Sequence, residues 1–114
     1  MKIIIFITSL LFISTANAAW LGGKTPKWIF ANKIVYFGID NPSTQKLCKY
    51  YSRNFKFNAT TEAGKNMLSI LLAAKMANKK IDIWYSPSKK PGTNHKNGCT
   101  PEMMAVVSNI GISE

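Results

Sequence analysis

The chain is poor in the residues that do chemistry. Its 114 residues include one histidine, two cysteines and five carboxylates, against fifteen lysines and arginines. His95 lies in a polar stretch beside Lys96, and no serine or cysteine has the context of a nucleophile it would activate. The carboxylates Asp40, Glu62, Asp82, Glu102 and Glu114 fall at no paired spacing, which argues against a glycosidase-type dyad. No CxxC, zinc spacing, phosphate loop or dinucleotide fingerprint occurs. The expectation is a protein that is not an enzyme, needs no cofactor and holds no metal. After residue 18 no apolar run approaches the roughly 20 residues of a membrane span.

What is present begins with an export signal. Lys2, the apolar run Ile3–Ile13 and the small-residue site Ala16-Asn17-Ala18 predict cleavage before Ala19 and a secreted or periplasmic protein. Residues 19–114 are then one domain, and losing 18 of 114 residues leaves 96. A chain that short buries little more than about 60% of its unfolded surface, so a staple or oligomerisation is expected. Cys48 and Cys99 are the only pair available for a disulfide in an oxidising compartment. Loss of Lys2 takes the net charge from +10 to +9. That charge suits anionic partners without choosing among nucleic acid, membrane surface and acidic glycan.

The organising stretch is Thr60–Tyr85. Ala63, Met67, Ile70, Leu71, Ala74 and Ala77 recur at helical spacing over Glu62–Asn78 and predict a core-facing stripe. Thr60 or Thr61 is placed to cap the helix, Glu62 suits its positive first turn, and Asn78 with Lys79-Lys80 suits its end. Ile81, Ile83 and Tyr85 alternate with Asp82 and Trp84 as a half-buried strand. A second apolar line, Leu68, Leu72 and Met76 with Lys65 beside it, has no other helix to cover it. This line is expected to be a subunit interface or pore surface, making the protein a homo-oligomer.

Elsewhere Ala19–Pro26 reads as an arm ending in a turn, and Lys27–Ile39 as one aromatic-rich strand bent at Ala31-Asn32. Asp40–Ser43 reads as a turn, Gln45–Ser52 as an alternating strand, and Phe55 and Phe57 as marking another. Ser86–Pro101 is a long polar loop of the kind that carries binding function, and Met103–Ser108 is a closing strand. The order strands, one helix, strands predicts a mainly β domain with one α-helix, a small antiparallel barrel of the oligonucleotide/oligosaccharide-binding (OB) type. Exposed aromatics beside loop polars suit carbohydrate, because a ring stacks on a sugar's C–H face while amides and hydroxyls meet its hydroxyl groups. Tyr50, Trp84, Lys89, Thr93, Asn94 and His95 are the candidate glycan-binding residues.

The start Ala19-Trp20-Leu21-Gly22-Gly23-Lys24-Thr25 resembles that of the binding (B) subunits of subtilase cytotoxin and typhoid-toxin-like (pertussis-like) assemblies. The later order of Cys48, the helix, the basic link Lys79-Lys80 and strand Ile81–Tyr85 is similar too. The resemblance implies an OB barrel, a ring of five, recognition of host glycans, and a pore lined by helices that seats a catalytic A subunit. Sialoglycan-binding members carry a pocket serine where this chain has Phe30, so the sialic-acid site is not carried over. The competing expectations are a monomeric exported cationic protein that binds anionic polymers, and an inhibitor using the Ser86–Pro101 loop.

Overall fold

The computed structural model describes residues 19–41, 47–88, 92–93 and 99–114, the pair 92–93 by backbone alone. The proposed signal segment, Lys89, Asn94 and His95 lie outside the described residues. The domain is mainly β with one helix. Its strands are β1 (Ala19–Lys24), β2 (Pro26–Ala31), β3 (Ile34–Ile39), β4 (Cys48–Lys49), β5 (Phe55–Asn58), β6 (Ile81–Ser86), β7 (Gly92–Thr93) and β8 (Ala105–Ile112). The helix, α1, spans Glu62–Met76 between β5 and β6. No helix among the described residues is long and apolar enough to cross a membrane.

Six strands form one sheet in the order β1-β6-β8-β5-β3-β2, and β4 and β7 pair in a separate parallel ribbon. Four of the five pairings in the large sheet are antiparallel; β5 and β8 run parallel. The two edge strands, β1 and β2, are separated in the chain by Thr25 alone. Edges so far apart in strand order meet within one residue only if the sheet rolls round on itself. Asp40 pins the junction: the Thr25 N–H donates to Asp40 Oδ1 at 2.7 Å, and the Asp40 N–H donates back to Thr25 O. No hydrogen-bonded ladder joins β1 to β2, so the roll is not closed.

Inside the roll lie Val35, Phe37, Phe55, Phe57, Ile81, Ile83, Tyr85, Ala105 and Val107. The Phe37 ring stacks on Phe55 at 5.3 Å between centroids, and Tyr85 meets Phe55 edge-on at 5.1 Å. The expected alternation of β6 holds, with Ile81, Ile83 and Tyr85 inward and Asp82 and Trp84 outward. The Thr61 hydroxyl caps α1 by accepting from the Gly64 N–H, and Asn78 ends it at φ 56°. The helix plugs the roll through Gly64, Leu71 and Ala74, with Met67, Leu68 and Ile70 half-buried alongside. Ala63 and Ala77 are exposed, so the core stripe is rotated from the predicted one toward Gly64 and Leu68. Gly64 is the reason: a Cβ there would strike the carbonyl of Asn58, so only glycine lets the helix sit this close.

Three local expectations need correction. Ala19–Lys24 is an edge strand on β6, with the turn confined to Gly23 at φ 63°. Lys27–Ile39 is a hairpin of two strands, because among the described residues β2 pairs with β3 alone and the chain turns back at Asn32-Lys33. The alternation of Gln45–Ser52 yields only two residues of strand among those described, since the chain reverses at once through Tyr50–Arg53.

Candidate binding site

The reversal after β4 builds a pocket. The backbones of Tyr50 and Arg53 exchange hydrogen bonds of 2.8 and 3.0 Å, and the residues between them, Tyr51 and Ser52, both take positive φ (47° and 65°). Non-glycine residues in that region cost about 1 kcal/mol or more each. Gly38 on β3 makes the turn's seat, because a Cβ at that position would fall on the carbonyl oxygen of Ser52. Two buried polar atoms in the turn, Arg53 Nε and Asn54 Oδ1, lack hydrogen-bond partners among the described residues. Strain of this kind persists where surrounding structure enforces it, and it clusters at ligand clamps.

So held, Arg53 lies over the Phe30 ring at 3.7 Å from the centroid, and its Nη1 donates to Tyr51 O. Phe30, Tyr36, Tyr50, Arg53 and Pro101 line an open pocket of about 220 Å³. A second groove of about 190 Å³ continues from Tyr36 past Ile34, Lys56, Asn58 and Val106. Register explains the continuity, since Phe30 pairs with Tyr36, Tyr36 with Lys56, and Lys56 with Val106 across four strands. Lys56 Nζ donates to Pro101 O at 2.6 Å, tying the groove to the segment before β8. Both volumes lie below the roughly 300 Å³ where drug-sized pockets begin, a scale that takes small rings one at a time.

The disulfide underpins this pocket. Cys48 and Cys99 are bonded, their Cα atoms 5.4 Å apart, and with Met104 they form a small buried cluster. Tyr36 and Tyr50 pack against that cluster from the pocket side, with Met103 beside them. The Cys48 N–H donates to Ser88 Oγ at 2.8 Å, so the start of the long loop is fastened to the same place.

Of the six predicted glycan residues, Tyr50 lines the pocket. Trp84 does not join it, because β6 lies three strands from β3, roughly 14 Å along the sheet. Thr93 enters β7 opposite Lys49 by its backbone, while Lys89, Asn94 and His95 lie outside the described residues. Phe30, Tyr36, Arg53 and Pro101 were not among those six. The outward register of Phe30 and Tyr36 follows once the 27–39 segment is read as a hairpin. Arg53 had no signal in the sequence. Of the predicted interface residues, Lys65, Leu72 and Met76 are exposed, whereas Leu68 is half-buried against the chain's own core.

No family model, curated protein or solved structure matches this chain.

Proposed function

We propose that this chain is an exported glycan-binding subunit of the toxin B type: an OB-like barrel that binds host sugars through the Phe30–Arg53 pocket and assembles into a ring. The observation that carries the reading is the pocket itself, three aromatic rings and one arginine held by a strained turn on the outer face of β2 and β3. With β1 and β2 counted as one bent strand, β3 and β5 are the second and third strands of an OB barrel, the pair on whose face that fold takes ligands, and Tyr36 of the pocket and Lys56 of the adjoining groove stand on them. If β1 and β2 count as two halves of one bent strand, the strand order, the helix before the fourth strand and the parallel pairing of third and fifth all support an OB barrel. The disulfide supports export, since such bonds persist in oxidising compartments.

The chemistry of the pocket narrows the ligand. Tyr36, Tyr50 and Phe30 offer faces for a sugar's C–H surface, and Arg53 favours a sugar carrying a carboxylate or sulfate. Single sites of this size bind weakly, and a ring raises their effect through multivalency. The pore of such a ring would seat a catalytic A subunit.

A glycan array probed with wild-type protein and with Arg53→Gln tests the reading. Binding to acidic glycans that is lost in the variant supports it. Silence on every glycan, with binding to DNA that falls steeply with salt, would instead support the monomeric cationic protein.

A further inference from the structure

A second aromatic constellation lies at the other end of the sheet, outside the pocket just described. Trp20 on β1 pairs with Trp84 on β6, and their rings sit 6.3 Å apart at 57°. They are 56% and 38% exposed, more than a core or a core edge requires. The Trp20 ring lies over Gly22, where a Cβ would collide with its six-membered ring. The outer edge of that indole, its Cζ2–Cη2 side, is therefore held against the backbone at Gly22. Asp82 projects from β6 on the same face as Trp84, between Gly22 on one side and Gly111 on the other. Its Oδ1 accepts from the Gly23 N–H at 2.9 Å and from the Ser113 hydroxyl, which orients the carboxylate. Asn109 stands opposite Trp84 on β8 and is exposed.

We infer that Trp20, Trp84 and Asp82 form a second binding site, one that takes a neutral hydroxyl-rich ring such as a galactoside. The exposed indole surfaces meet the apolar C–H side of a pyranose, and an oriented carboxylate accepts from its hydroxyl groups. Glycines on both flanks keep side chains from covering that carboxylate. The ionised Asp82 repels anionic sugars, so this site and the Arg53 pocket have opposite preferences. The patch spans only a few residues, well short of the roughly 800 Å² per partner of a stable protein interface. The inference stands whether or not the Arg53 pocket binds glycans.

The test is NMR of the three indole N–H signals in the purified protein, with lactose as neutral probe and 3′-sialyllactose as its charged counterpart. Lactose is expected to shift the Trp20 and Trp84 signals, leave Trp28 unmoved, and act equally in low and high salt. Asp82→Asn should weaken lactose binding about tenfold, the scale of one charge-assisted hydrogen bond. Trp84→Ala should abolish it, and Arg53→Gln should leave it unchanged. No indole shift at tens of millimolar lactose overturns the proposal, as does an undiminished shift in Asp82→Asn. A drop in assembly mass for Trp84→Ala overturns it as well, since the face would then be covered by a second copy.

Discussion

The guanidinium of Arg53 lies 3.7 Å from the centre of the Phe30 ring, across a pocket wall that neither residue would form alone. The turn delivers the cation and the β2–β3 hairpin delivers the ring. A stack of this kind contributes about 0.5–1 kcal/mol when exposed. Arg53→Lys keeps the charge but loses the planar contact and the fork of donors, so it should bind acidic glycans more weakly than wild type yet better than Arg53→Gln. Titration by calorimetry reads the order, and equal affinity for all three proteins would remove Arg53 from the site.

Gly38→Ala should both destabilise the domain and spoil the pocket. The added methyl would fall on the backbone of Ser52, which has no flexible end to move aside. The turn must shift or the strand must bend, at a cost of about 1–3 kcal/mol by analogy with overpacking. Ala at an ordinary strand glycine is expected to stabilise, so the sign separates the two cases. Chemical denaturation gives the stability, and the glycan titration shows whether Arg53 has moved.

The residues that carried the fold into view were those whose pattern is periodic. Ile81, Ile83 and Tyr85 alternate, Leu71 and Ala74 fall on one helical face, and Thr61 and Asn78 punctuate α1; all four features follow from local chemistry. Gly64 shifted the helix stripe because its role is a close approach to Asn58, a contact between elements that no single segment encodes. The pocket was less legible for the same reason. Tyr51 and Ser52 adopt positive φ without being glycine, so no turn signal marks the reversal that places Arg53. Tyr50 was a candidate from the sequence as the exposed member of its pair, yet it is half-buried against the disulfide cluster while Tyr51 is the exposed one. The partners of Tyr50, Phe30 and Tyr36, needed the register of a hairpin that reads as one strand.

Removing the disulfide should harm binding sooner than fold. Cys48→Ser with Cys99→Ser frees a long loop, and the chain-entropy estimate for that loop is about 4 kcal/mol. The rolled sheet's own aromatic core lies in a separate cluster from the cysteines, whereas Tyr36 and Tyr50 rest on the disulfide cluster directly. The expected result is a folded protein by far-UV dichroism with a lowered melting temperature and little glycan affinity. Retained affinity at full strength would show that the pocket does not depend on the bond.

Asp82 gives the stability a dependence on acid. Its pKa is held below the ordinary 3.8, first by the Ser113 hydroxyl and then by the Gly23 N–H, with slight burial opposing. A carboxylate whose folded pKa is depressed contributes stability that is present above the unfolded value and lost as pH falls through the folded one. Melting curves of wild type and Asp82→Asn should therefore differ most near neutral pH. Their gap should start to close as pH drops below about 4 and vanish under the folded pKa. A constant gap from pH 7 to pH 2 would mean that the charge of Asp82 has no part in holding β1 to β8.

The last prediction concerns the outer line of α1. Leu72 is 41% exposed and Met76 88% exposed, one turn apart, while Leu68 turns inward and packs on the core. The line thus divides by depth, and the two parts should answer mutation differently. Leu68→Lys places a charge among apolar neighbours and should lower stability in the monomer itself. Leu72→Lys and Met76→Lys lie outside the core, where substitutions usually change stability by about 0.5 kcal/mol or less. If a second copy covers that face, the same two variants desolvate a charge at its centre, and light scattering at micromolar protein should find the assembly reduced to single chains with an unchanged melting curve. An assembly that survives both changes must be held elsewhere, and one that never forms in wild type leaves Leu72 and Met76 as ordinary surface residues.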